Sequence, residues 1–587
     1  MVKKSILNNL KLAMSEDNLK IILEDKQNDI LFQKSKSNLN ITFNRVAFIF
    51  FIFFMISLIF SIHLIHLGSR KANNEQGRIL KNSSNDLFRA DILDRDGNYL
   101  SKTVNSIDIG ISPTKIIDEK RLLLNLKYIF PNKNYDEIKR KIKKGKFFYF
   151  EKKVSEEKYD QLMKLGDKSI EPRENIIRLY PQKNLFSHII GQIDNDNYGI
   201  SGLEKSFDED LKRRSEPLRL TLDSDIQFLI RKELIKYNKI FSTKGSGAIL
   251  MNIHSGEIIA FTSLPDFDPN HIMLSTDAAR FNQVTKGVYE MGSIFKVLNT
   301  AIALETGAID MHSTVDVSKP IPIAGQIIND YKPINGSITL AEILVRSSNI
   351  GSAHISQMIG PKTQRKYMKQ LGLFEPSSLE IVENGVPLVP DDWSNITAMT
   401  VSYGYGLSVS MVQAAAAIAA AGGDGHFISP TLLKRNANEA IKKVRIFSKQ
   451  TSKAVRSMMR LVVSHKLGTG NFADAHGYLV GGKTGTAEKI KNKDFNRNAN
   501  RVSFVATFPV SDPAYLIMIM VDEPVKQKHS HNYATAGWVV APAIRDIVNQ
   551  ISPILNVHPV DISKPENSQN LLPPMLLDGQ EAVYATY

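Results

Sequence analysis

The sequence predicts an α/β main domain, an antiparallel sheet combined with helices, preceded by a transmembrane helix and a separate α+β domain. Three observations carry this. Apolar strand-like runs stand at both ends of residues 216–551, at 247–253 and 257–262 and again at 502–508 and 515–521. A mostly helical stretch separates them, which gives a sheet assembled around a helical insert. The 22 residues Val46 to Leu67 contain no Asp, Glu, Lys or Arg and are long enough to cross hydrocarbon as a helix. Residues 68–215 differ from both, mixing short strand-like runs with very basic helical stretches. A chain of 587 residues is long for one domain, and 43% hydrophobic content is enough for sizeable cores.

Composition narrows the chemistry. There is no Cys, so disulfides, thiolate nucleophiles and Cys-ligated metals are excluded. The net charge of +14 raises nucleic acid as a partner, but the basic excess lies largely before residue 215, within a broad Lys, Asn and Ile bias. No nucleic acid is expected. Attraction to an anionic membrane surface fits better.

In chain order, residues 1–45 are polar and mixed in charge and read as a tail, expected to be cytoplasmic on the resemblance described below rather than on charge. Residues 46–67 are the transmembrane helix. The 45-residue lead and the missing small-x-small pattern argue against a cleaved signal peptide. Orientation is not set by charge, since Lys34, Lys36 and Arg45 on one side face Arg70, Lys71, Arg78 and Lys81 on the other. The run Ile138 to Lys144 reads as a solvated helix face. Asp94 to Gly97 and Gly199 to Gly202 read as turns. Leu220 to Asp223 starts a helix, and His254-Ser255-Gly256 turns a hairpin. Ser402 to Leu407 is a Gly-rich loop before an Ala-rich helix, Gln413 to Ala421. Trp538 to Ile551 reads as one closing helix, and residues 552–587 as a flexible tail.

The chemistry centres on Tyr289-Glu290-Met291-Gly292-Ser293-Ile294-Phe295-Lys296. Gly292 allows a tight turn, and the apolar run that follows reads as a buried helix. Residues three apart share a helix face, so the Lys296 amine can reach the Ser293 hydroxyl. The helix N-terminus and burial both disfavour an ammonium there, leaving a base beside a nucleophile. A Ser-x-x-Lys pair alone is weak: Ser155 to Lys158 is another, in a charged, solvated setting. Context strengthens the first. Ser347-Ser348-Asn349 follows, then Lys483-Thr484-Gly485-Thr486. The three motifs in this order form the signature of penicillin-recognising serine enzymes. Taken singly, Ser347 and Asn349 also fit a helix cap, and 483–486 a turn. Ser83-Ser84-Asn85 repeats the second motif in a polar linker and reads as a decoy.

From Arg89 to about Pro542 the chain resembles the monofunctional class B penicillin-binding proteins, the peptidoglycan D,D-transpeptidases. The resemblance extends to three non-catalytic segments: Arg89 to Gly97; Arg178 to Pro181 with His188 to Gly191; and Gly199 to Glu204. It implies an elongated, dimerisation-type pedestal over 68–215 and a penicillin-binding/β-lactamase-like transpeptidase domain over 216–551. Asn349 and the Ser402-Tyr403-Gly404-Tyr405-Gly406 loop resemble the septal, cell-division branch, with the elongation branch and a D,D-carboxypeptidase as alternatives. Met291, Ala90 and Ala536 depart from the residues usual in relatives. The implied substrates are peptidoglycan stem peptides ending in D-Ala-D-Ala, with β-lactams as mimics and no cofactor or metal. The implied roles are Ser293 as nucleophile, Lys296 as base, Ser347 as proton relay aided by the charge of Lys483, and Asn349 on the stem amide. Thr484, Gly485 and Thr486 line the substrate, which joins the Lys483 strand as an added strand. Implied partners are a SEDS-type glycan polymerase and other division proteins. The implied location is single-pass in the inner membrane with a periplasmic catalytic domain.

Overall fold

The structure, a computed structural model, describes residues 47–64, 88–323, 325–435, 439–491, 494–561, 575–577 and 581–583. Residues up to Asp86 and those from Leu87 onward form two units. In the first, Ala47–Leu64 is one apolar helix, a candidate membrane span with none of its surface buried. The decoy at 83–85 lies outside the described residues.

The catalytic sheet follows the alternation in its sequence. Its strands are β1 (Gly245–Asn252), β2 (Ile258–Leu264), β3 (Gly481–Lys491), β4 (Asp494–Phe508) and β5 (Tyr515–Asp522). Their order is β3-β4-β5-β1-β2, antiparallel throughout. Alternate side chains point to opposite faces. Ile249, Met251, Val505, Leu516 and Met518 enter one core, while Ala248, Leu250, Phe504, Ala506, Ile517 and Ile519 enter another. Both faces are therefore covered, which is why β1 and β5 read as unbroken apolar runs rather than as polar–apolar alternation. The second core holds helix α1 (Ser224–Phe241), capped by the Asp223 carboxylate. The first holds the helical insert: α2 (Phe295–Glu305), α3 (Asn349–Ile359), α4 (Met411–Gly422) and α5 (Lys449–Ser464).

Two expectations are corrected. The closing segment is two helices, Ala536–Val539 and α6 (Ala541–Ile551), because Pro542 cannot donate to a preceding turn and so starts a new helix. Residues 552–560, expected in a flexible tail, pack against the domain: Leu555 is buried, and the Val560 N–H donates to the Gly477 carbonyl.

Before the catalytic domain, a five-stranded sheet pairs Tyr99–Ile111 with Phe148–Val154 and Ile170–Leu179, and joins Ile92–Leu93 to Leu218–Arg219. Its outer part has a core of its own, which includes Ile138 and Ile142. The lysines between these two isoleucines face solvent, as the sequence indicates. Its inner part has no separate core. Ala90, Ile92, Leu100, Tyr180, Ile189 and Leu203 share one continuous core with Val297, Leu298, Ala301 and Ile302 of α2.

The three segments read as resemblance and turns converge here on one buried cluster. Glu204 accepts from Arg89 Nε at 2.5 Å, Arg178 Nε at 2.8 Å and Ser101 Oγ at 2.7 Å. Arg89 and Glu204 are fully buried, and Arg89 also pairs with Asp208. Removing one partner of a buried ionic cluster leaves uncompensated charge. We expect Glu204→Gln to lower unfolding stability by about 3 kcal/mol, read from the urea midpoint. A change under about 1 kcal/mol would show that the two guanidiniums do not depend on this carboxylate.

Candidate active site

The nucleophile turn is shaped by close backbone approach. Ser293 lies in a single 3-10 turn, Gly292–Ile294, that feeds α2, so Ser293 and Lys296 are not both on one regular helix as expected. Gly292 has φ of +54°, and a methyl group there would lie 2.6 Å from the Thr486 carbonyl oxygen. Only glycine meets both demands without strain. Across the same contact, a methyl at Gly485 would lie 2.8 Å from the Met291 carbonyl oxygen. The turn is thus pressed against β3, and Gly292 N–H donates to the Gly404 carbonyl at 3.1 Å from the Gly-rich loop. Glu290 holds that loop by accepting from Gly406 N–H at 2.7 Å.

Three segments far apart in sequence meet at two buried amines. Lys296 Nζ lies 2.9 Å from Ser293 Oγ, 3.1 Å from Ser347 Oγ, 2.8 Å from the Ser347 carbonyl and 2.6 Å from Asn349 Oδ1. Lys483 Nζ lies 2.9 Å from Ser347 Oγ and 3.0 Å from the Thr484 carbonyl. Ser347 Oγ therefore stands between the two amines. Ser347 itself has φ of +60°, a strained conformation for a side chain of this kind. Lys296 is 1% exposed and Lys483 0%, whereas Ser293, Ser347, Asn349 and Thr486 are partly open.

Burial decides the protonation. It pushes the Lys296 amine down to about 7, while the Asp330 carboxylate acts in the opposite direction. The Lys483 amine is held well below the usual lysine range by burial, and the Lys296 charge adds to that shift. Burial thus opposes the charge on Lys483 that the resemblance implies, while its amine donates to Ser347 and Thr484.

β3 is the edge of its sheet, as the sequence reading requires, and no strand pairs with its outer side among the described residues. Thr484 is buried, with its hydroxyl 2.7 Å from that of Thr469, and Thr486 is more open. The other Ser-x-x-Lys pair is placed as expected: Ser155 and Lys158 are exposed at the start of the helix Glu156–Met163.

Sequence reasoning missed Asn329, Asp330 and Thr469. Asp330 Oδ1 accepts from Asn349 N–H at 2.5 Å and Ile350 N–H at 3.1 Å, and Oδ2 accepts from Ser348 Oγ at 2.7 Å. The Asn329 carbonyl accepts from Asn349 Nδ2 at 2.9 Å. Asn-Asp in a polar stretch looks like any turn, so nothing local marks it.

Known proteins resemble this chain along most of its length. Residues 246–548 match the penicillin binding protein transpeptidase domain, and residues 87–233 match the penicillin-binding protein dimerisation domain. The chain is 31% identical over 480 residues to the probable peptidoglycan D,D-transpeptidase FtsI of Caulobacter vibrioides, covering 80% of this chain and 82% of that protein. It is 27% identical over 517 residues to stage V sporulation protein D of Bacillus subtilis, covering 80% and 79%. The crystal structure of penicillin binding protein 3 from Mycobacterium tuberculosis, complexed with aztreonam, shares the fold: TM-score 0.65 at 23% identity, over 81% of this chain and 97% of that one. With its transpeptidase and dimerisation domains both matched, the chain belongs to the class B penicillin-binding proteins.

Proposed function

We infer that this protein is a membrane-anchored peptidoglycan D,D-transpeptidase of septal wall synthesis, and a target of β-lactams. One observation carries the mechanism: a partly open Ser293 hydroxyl 2.9 Å from a buried amine, with Ser347 held between that amine and a second one. Hydrogen-bond contact with a base of depressed proton affinity is what a serine nucleophile needs.

Neutral Lys296 takes the Ser293 proton as Oγ attacks the carbonyl of the penultimate D-Ala. The backbone N–H groups of Ser293 and Thr486 stabilise the oxyanion, each donor worth about 3 kcal/mol of barrier. The proton passes from Lys296 to Ser347, which both amines contact, and on to the departing D-Ala amine as the C–N bond breaks. An amine of a second stem peptide then attacks the acyl carbon; the amide bond of the crosslink forms, the ester C–O bond to Ser293 breaks, and the proton lost by the amine returns by way of Lys296 to Ser293 Oγ. Asn349 turns Oδ1 toward Lys296 and keeps one Nδ2 hydrogen for the stem amide. The stem pairs with the outer side of β3, and the Thr484 and Thr486 hydroxyls suit its carboxylate.

Placement at the septum rests on Asn349 in the second motif and on the likeness to the Caulobacter protein. On this reading the catalytic domain lies outside the cytoplasmic membrane, in the periplasm, and the partners are a SEDS-type glycan polymerase and other division proteins. A fluorescent fusion gathering at the division site supports it, and one spread along the cell body supports the elongation alternative.

Two further results are expected. Ser293→Ala should abolish covalent labelling by a fluorescent penicillin, and Lys296→Ala should slow labelling by about 10²–10⁴-fold. Persisting label in Ser293→Ala would place the nucleophile elsewhere. Since Lys296 must be neutral to accept a proton, the wild-type acylation rate should level off above pH 7 and drop about tenfold per pH unit below it. A rate unchanged from pH 5.5 to 8.5 contradicts Lys296 as the base.

A further inference from the structure

Asp330 is a carboxylate whose charge bears on Lys296, and the mechanism above gives it no step. It sits at the N-terminus of α3, where unpaired backbone N–H groups and the helix field favour an anion. Its two oxygens take three donors. Oδ1 accepts the N–H groups of Asn349 and Ile350, and Oδ2 accepts the Ser348 hydroxyl. Ser348 Oγ in turn accepts from Gly351 N–H at 2.9 Å, so it caps α3 while tied to Asp330. Immediately before it, Ser347 is held at a positive φ that a serine does not adopt by preference. Strain of that kind persists only where neighbouring contacts fix it. The adjoining Asn329 carbonyl holds Asn349 Nδ2 and so directs Oδ1 to Lys296.

We propose that Asp330 is a positioning residue for acylation: it clamps the turn carrying Ser347 and Asn349 and supplies the negative charge that balances the buried Lys296 amine. Asp330 favours the charged form of Lys296 against its burial, and the neighbouring titratable group is the Lys483 amine of β3, whose own charge is disfavoured by burial and by a charge on Lys296. The other polar contacts of the Lys296 amine, from Ser293, Ser347 and Asn349, are uncharged. A carboxylate on this turn therefore keeps the amine from becoming too weak a base, while the clamp keeps Ser347 between the two lysines. The proposal rests on the acyl-enzyme reading of Ser293.

The test uses the full-length protein in detergent and follows fluorescent-penicillin acylation against pH. Asp330→Asn removes the charge at nearly constant shape. Its plateau rate should fall about tenfold, and its pH midpoint should move down by about one unit. At pH 6 the variant should then hold about fivefold more of its own plateau rate than wild type does. Ser348→Ala removes a clamp contact without touching charge, so its plateau should fall with the midpoint unmoved. Asp330→Glu keeps the charge with a longer reach and should resemble Ser348→Ala. Should Asp330→Asn not fold, Asp330→Ser carries the same expectation for the midpoint. An unmoved midpoint in the uncharged variant, or a wild-type plateau in Ser348→Ala and Asp330→Glu together, overturns the proposal. Absence of Ser293-dependent label in the wild type is a different failure, that of the acyl-enzyme reading itself.

Discussion

Two lysines buried within reach of one serine hydroxyl are the constraint on which the rest of the active site depends. Ammonium groups are strongly hydrated, and burying two of them side by side in charged form is prohibitive. The fold resolves this by letting both amines lose proton affinity and by giving each several oxygen partners: Ser293, Ser347 and Asn349 for Lys296, Ser347 and Thr484 for Lys483. The outcome is a base near neutrality beside a nucleophile.

Such a site tolerates little slack, and its support is broad. The nucleophile turn lies between β3 and the Gly404 loop, with backbone against backbone at Gly292. Behind it, α2 is packed in a core that runs without interruption into residues 90–222. Hydrogen bonds cross the same boundary: Asn270 with Tyr180, Gln227 with Leu185, and Glu383 with Gly202 N–H. The inner part of the pedestal is thus a continuation of the catalytic core, and displacement there would be felt at α2.

Much of this was legible in the sequence because it rests on local chemistry. The strands of the sheet follow from apolar runs too long and too β-branched to be turns, and the edge position of β3 follows from what its Lys-Thr-Gly must do. The motif order led to the right meeting of Ser293, Ser347 and Lys483, although each motif is commonplace alone. What stayed hidden depends on convergence. Glu204 looks like a helix-surface glutamate until Arg89 and Arg178 are brought to it from over 100 and 20 residues away. Asp330 looks like a turn residue until α3 is aimed at it. The break at Val540 was legible in Pro542, yet the apolar run around it masked the signal.

The edge strand has a consequence beyond its reaction. An open row of backbone groups invites any extended peptide, including the same strand of another molecule. An irregularity in the neighbouring strand limits this hazard: the β3–β4 register slips between Glu488 and Lys489, where β4 carries extra residues between Asn496 and Asn500, so the regular pairing ends soon after the motif. Beyond it, Lys489 is tied to Asp522 and Glu523 of the sheet. The edge is therefore open to a short extended guest and interrupted for a long one.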